Sequence, residues 1–199
     1  MKLLTLILLL TGCVTAPIEA PKEQGSENKT EAPVVEGLLK DFWPSDSLRQ
    51  ASVKAIKDHG GALLNFSPKD KAEWCWKNGE SAVSFYNRLF SAIAKFESNY
   101  KSTTTYLEKF VDGKGNRVVS TGILQVSQES CSAVYSFKST TETLKVPYNN
   151  LACGAKIAAK WIPRHGYIAR DSKLGLSVYF STMRGTGKRE PIRQMMCAK

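Results

Sequence analysis

The chain has 199 residues and carries 28 Lys and Arg against 18 Asp and Glu, a formal net charge of +10. With 42% hydrophobic and 10% aromatic residues it can fill a core, which excludes a disordered or fibrous class and suits one domain plus a targeting segment and a linker. The charge is uneven: residues 14–36 hold five acids and two lysines, so residues 37–199 carry +12, a surplus that favours a polyanionic partner or serves only solubility.

The chain opens MKLLTLILLLTGC, one lysine before an apolar run too short to span a bilayer as a mature helix. Residues 1–12 read as a secretory signal. Leu10-Thr11-Gly12-Cys13 resembles the lipobox of bacterial lipoproteins, which implies cleavage before Cys13 and lipid attachment there. Residues 13–36 then read as a lipidated cysteine and a disordered tether rich in Pro, Glu and small polar residues. Val14 after the cysteine, by the lipoprotein pattern, implies an outer-membrane anchor facing the periplasm, in the cell envelope. Export argues against nucleic acid, and no nucleic-acid motif is present.

In the remaining domain, residues 37–199, Pro44 and an N-cap at Ser45 or Asp46 start a helix that ends at Gly60. Trp74 and Trp76 follow in an irregular stretch, as packing anchors. A long helix is expected from about Gly79 or Glu80 to Ser98. Val83, Tyr86, Phe90 and Ile93 fall at steps of three and four residues, and Glu97 continues that apolar stripe. Asn87, Arg88, Ser91 and Lys95 are expected on the solvated face. A carboxylate on a buried stripe near a helix C-terminus has its pKa raised by desolvation and by the dipole, which suits a general acid.

Asp112-Gly113 and Gly115-Asn116 between β-branched residues mark a hairpin. Ser120-Thr121-Gly122-Ile123-Leu124-Gln125-Val126 holds a Gly turn and a buried run, then a helix capped by Ser127. Asn149 or Asn150 is expected to cap the next helix, and LGLSVYFSTMRG to form the last. Four cysteines after Cys13 allow three pairings. Cys131–Cys153, between neighbouring helices, with Cys75–Cys197, stapling the C-terminus to the segment before the Glu97 helix, is preferred. His59 and His165 stand alone beside glycines and read as surface residues. No spacing resembles a metal site, and no cofactor is implied. The fold class expected is mainly α, an α+β arrangement with one small hairpin beside the glutamate.

Glu97-Ser98, the Ser120–Val126 segment and Asn150-Leu151 with Gly154, in this order, resemble the lysozyme-like domain of soluble lytic transglycosylases and goose-type lysozymes, over roughly residues 80–185. The fourth family segment departs from the pattern: in Val178–Gly185 the tyrosine, Tyr179, persists but the asparagine does not. The resemblance implies a peptidoglycan substrate, cut at the β-1,4 bond from N-acetylmuramic acid to N-acetylglucosamine, with Glu97 as the catalytic acid and base. Closure of a 1,6-anhydromuramyl ring needs only that one carboxylate and is the preferred reaction. Hydrolysis would need a second, for which Glu108 and Asp112 are candidates, with Asp112 more readily read as a turn residue. Ser98 and Ser120 are expected to bond the acid or the sugar. Gln125 and Asn150 would orient sugar substituents, beside Gly122, and Tyr179 would close the pocket. A non-catalytic, glycan-holding lipoprotein is the rival of another class.

Overall fold

A computed structural model describes residues 42–135 and 139–198 of the chain. Cys13, the signal and the tether lie outside them. The described part is a mainly helical α+β arrangement, as the sequence pattern predicts.

Helix α1 (Asp46–His59) starts at the Ser45 cap, whose hydroxyl accepts from the Leu48 N–H. Helix α2 (Ala82–Ser98) starts at Ser81, whose hydroxyl accepts from the Ser84 N–H. It ends on Asn99 in the left-handed conformation (φ 51°), which lets the Asn99 and Tyr100 N–H groups close onto Lys95 O and Ala94 O. Strands β1 (Thr105–Val111), β2 (Arg117–Thr121) and β3 (Val126–Ser127) form an antiparallel sheet in that order, so a third short strand extends the expected hairpin. Helices α3 (Gln128–Tyr135) and α4 (Thr141–Leu144) lead into α5 (Pro147–His165). A two-stranded ribbon, β4 (Ala169–Arg170) with β5 (Leu174–Gly175), was not anticipated. Two 3-10 turns (Leu176–Val178 and Ser181–Met183), with a third at Gly61–Asn65 after α1, and helix α6 (Thr186–Cys197) complete the order.

Helix α2 is the axis of the core. Phe85, Leu89, Phe90 and Ile93 are fully buried, with Ile56 of α1, Ile123 and Leu124 from the turn before β3, and Leu151, Ala155 and Ala158 of α5. The helix is covered almost all round, which corrects the expectation of a solvated face: Asn87, Arg88 and Ser91 are buried, and only Lys95 of that set is exposed. The three buried polar side chains of that set each have a partner, although Asn87 Nδ2 and the neighbouring Tyr86 Oη are left without one. Trp43 Nε1 donates to Asn87 Oδ1 at 3.0 Å, and Ser91 Oγ donates to Phe42 O. The Arg88 guanidinium donates to both Glu80 carboxylate oxygens at 2.7 Å, to Met196 O and to Cys75 O. Periodicity alone treats such residues as outward-facing because it cannot see their partners.

Three other expectations change. Helix α5 begins at Pro147 and not at an asparagine cap; proline at the first helical position loses no N–H bond and has the φ a helix needs. LGLSVYFSTMRG forms strand and 3-10 turns, not a last helix, because Gly175 and Gly185 at its ends have φ of 63° and 73° and break the continuity. The true last helix is α6. His59 and His165 are only part-exposed: His59 Nε2 meets Tyr148 Oη at 3.2 Å, and His165 Nδ1 accepts from the Gly175 N–H at 3.0 Å. The disulfides join Cys75 to Cys197 and Cys131 to Cys153, the preferred pairing.

Candidate active site

The Asn99 cap halts α2 one turn after its last fully buried apolar residues, so Glu97 emerges at the edge of the core into a cleft of about 640 Å³. The hairpin forms one wall, contributing Glu108 and Ser120. Gln125 and Ser127 line the base, and residues 178–181 with Arg184 form the facing side.

Glu97 is half-buried. Desolvation pushes its carboxyl above the usual range, and the nearby Glu108 charge pushes the same way; the Thr182 hydroxyl and N–H and the more distant Lys188 oppose them. The Thr182 hydroxyl donates to Glu97 Oε1 at 2.5 Å. A carboxyl whose pKa is raised by burial yet which is held in one orientation suits proton donation to a leaving group.

Glu108 lines the same cleft, and Ser120 Oγ donates to its Oε1 at 2.6 Å. The register that pairs Tyr106 with Ser120 sets this bond, because it stands Ser120 beside the part of β1 that bears Glu108. Arg117 Nε fixes the backbone of the same residue, donating to Glu108 O at 2.7 Å. Asp112, the other acid considered, holds the turn: its carboxylate accepts from the Lys114 and Asn116 N–H groups at 2.8 Å each. That bonding keeps its carboxyl below the usual range.

The predicted site residues divide into two groups. Glu97, Glu108, Ser120, Gln125 and Tyr179 line the cleft together. Gln125 Nε2 donates to Thr104 O and Gly122 O, fixing the amide in place. Tyr179 Oη accepts from the Ser127 N–H at 3.0 Å, and desolvation raises its pKa. Ser98, Gly122 and Asn150 serve the wall from behind. Ser98 Oγ donates to Ile123 O at 2.8 Å, tying the end of α2 to the Gly122–Leu124 turn. Asn150 is fully buried; its Oδ1 accepts from the Leu124 N–H, and its Nδ2 donates to Thr121 O and Leu144 O. All three of these bonds go to backbone, so Asn150 builds the turn and does not orient a sugar. Gly122 has φ 78°, and a Cβ there would collide with the Asn150 amide and Leu144 O.

No family model and no curated protein matches the sequence. Three solved structures do, all of DslA (Bd0314): one wild-type form and two mutants, each with a glutamate replaced by glutamine. They superpose with TM-scores of 0.68–0.69 at 30–31% identity, over 74% of this chain and 86% of theirs. The chain belongs to the DslA family. The two glutamates replaced in DslA stand eleven positions apart in that protein.

Sequence reasoning missed Thr182. In this DslA relative the residue lies inside Val178–Gly185, the segment that departs from the transglycosylase pattern, and it reaches a partner 85 positions away. No local periodicity marks such a contact. Its one signal is its place two residues after a buried phenylalanine in the segment that carries Tyr179.

Proposed function

We propose that this protein is a peptidoglycan-cleaving glycosidase that hydrolyses the muramyl β-1,4 bond with Glu97 as general acid and Glu108 as general base. The observation that carries the reading is the pair itself: two carboxyls, Glu97 and Glu108, line one cleft. Glu97 is desolvated and favours its proton. Glu108 lines the same cleft and is held in place by the Ser120 hydroxyl, which donates to its Oε1. In the proposed step Glu97 gives its proton to the glycosidic oxygen as the bond to the muramyl carbon breaks. Glu108 takes a proton from the water that attacks that carbon from the other face, so the configuration inverts. Glu97 and Glu108 are eleven positions apart, the spacing of the two replaced glutamates in DslA, which supports a shared two-carboxylate arrangement.

Ring closure on Glu97 alone, the reaction expected from the resemblance to transglycosylases, makes a different prediction for the second acid. Under hydrolysis, Glu97→Gln and Glu108→Gln each lower turnover of purified sacculi by at least about 10²-fold. Mass spectrometry then finds muramyl ends heavier by one water than anhydro ends. Full activity in Glu108→Gln with anhydro products would restore ring closure, and wild-type release by Glu97→Gln would refute catalysis altogether.

The lipobox-like Leu10–Cys13 and the basic charge of residues 37–199 support an envelope location, with a lipid anchor in the membrane and an anionic wall as partner. Cys13→Ala is expected to move the protein from the membrane to the soluble fraction; unchanged fractionation would refute the anchor.

A further inference from the structure

Two of the large exposed apolar side chains stand on either side of Glu108. Tyr106 is 52% exposed and Phe110 60% exposed, although both line the cleft. A bulge interrupts the β1–β2 register between Leu107 and Val111, and Tyr106, Glu108 and Phe110 all line the cleft, each ring two positions from the carboxylate. Among the described residues, neither ring stacks on another aromatic or under a cation; the ring pair Tyr179–Phe180 sits on the facing side of the cleft and Trp76–Phe85 in the core. Leaving two such rings wet forfeits burial that a core position would have supplied.

We infer that Tyr106 and Phe110 are stacking platforms for the glycan, one on each side of the bond that is cut. This rests on the glycosidase reading above and extends it to the residues that grip the substrate. A pyranose presents an apolar C–H face, and an aromatic ring offers a flat surface with a negative quadrupole to meet it. Tyr106 and Phe110 lie two positions before and two positions after Glu108 on β1, so the carboxylate stands between them along the chain. One ring therefore meets a sugar before the cleavage point and the other a sugar after it. Holding both sides fixes the scissile bond beside the two carboxyls, which is how remote contacts serve a reaction at the centre. The cleft wall continues from Phe110 toward the turn: a second cavity of about 640 Å³, lined by Lys114, Asn116 and Arg117, shares Val118, Ser127 and Glu129 with the first. A chain lying past Phe110 has space to run on.

The test uses the full chain carrying Glu97→Gln, so that binding is read without turnover. Cosedimentation with purified sacculi and titration with an N-acetylglucosamine hexamer are measured for the parent and for Tyr106→Ala, Phe110→Ala and both together. Each single change is expected to weaken binding about tenfold, and Tyr106→Phe and Phe110→Tyr to restore it. In the active background the alanine variants lower kcat/KM by a similar factor. Equal binding by parent and alanine variants overturns the inference. So does a loss confined to anionic phospholipid vesicles, which would make the rings a membrane contact. If the parent itself binds neither sacculi nor hexamer, the glycosidase reading fails, and the inference with it. Because both rings are on the surface, thermal unfolding of the variants is expected to match the parent, and the Phe and Tyr replacements keep the test valid if it does not.

Discussion

Burial raises the pKa of Glu97 and the Thr182 hydroxyl bond holds that rise back; Thr182→Val removes the bond while keeping the shape of the side chain. A hydrogen bond to a charged group contributes about 1.5–3 kcal/mol net, and 1.36 kcal/mol corresponds to one pH unit. The 2.5 Å contact favours the ionised form, so its loss raises the pKa further. The Thr182 N–H still donates to the carboxylate and the site is half open to water, so the smaller end applies, about one unit. An acid must be protonated to act. The alkaline limb of kcat/KM, which reports the free enzyme, should therefore move up by about one pH unit, while the acid limb stays in place. The assay is initial-rate turbidity loss of sacculi across pH for wild type and variant. An unmoved limb at an unchanged plateau, or a limb that moves down, refutes the proton-donor role given to Glu97. A tenfold lower plateau with no shift would make Thr182 a substrate contact.

Glu97→Gln should raise the melting temperature at neutral pH while it removes activity. A carboxyl whose folded pKa is raised holds its proton better in the folded state, so stability is full below the unfolded pKa and falls as pH rises through the folded one. The gain should vanish in acid, and a gain equal at all pH values would show that the cause is not titration. Asn150→Ala leaves three buried backbone groups without their partner and should cost about 3 kcal/mol or more by urea unfolding, with KM unchanged in the folded fraction. A raised KM at full stability would return Asn150 to the substrate. Replacing both members of a disulfide by serine should cost up to about 5 kcal/mol for Cys75–Cys197 and about 3 kcal/mol for Cys131–Cys153, from their separations of 122 and 22 residues. Equal losses would mean that chain entropy is not the main term.

Much of this site was legible because the relevant signals are local. Steps of three and four residues placed Glu97 on the buried stripe of α2, and Asp112-Gly113 with Gly115-Asn116 announced the hairpin that carries Glu108. What escaped depends on partners distant in sequence. Arg88 reads as a surface cation until Glu80, Cys75 O and Met196 O are seen around it. Asn150 reads as a substrate contact, but its amide completes a turn made by residues 121–124. Helix α6 hid behind Gly187 and Pro191, which break its pattern; what docks it is Ile192, Met196 and the bond at Cys197.

The Arg88 clasp also bears on how the molecule comes apart. One guanidinium is shared by the segment at Cys75, the carboxylate of Glu80 and the last turn of α6, and it is 1% exposed. Peeling α6 away would strip a buried cation of one acceptor and open its pocket to water, a cost that grows before any entropy is regained. Forms in which only the C-terminal helix has let go are therefore disfavoured, and unfolding is steered toward a single cooperative event. Because Arg88 sits on the same helix as Glu97, that event takes the acid with it. Loss of activity on heating should coincide with loss of structure, with no inactive but folded species in between.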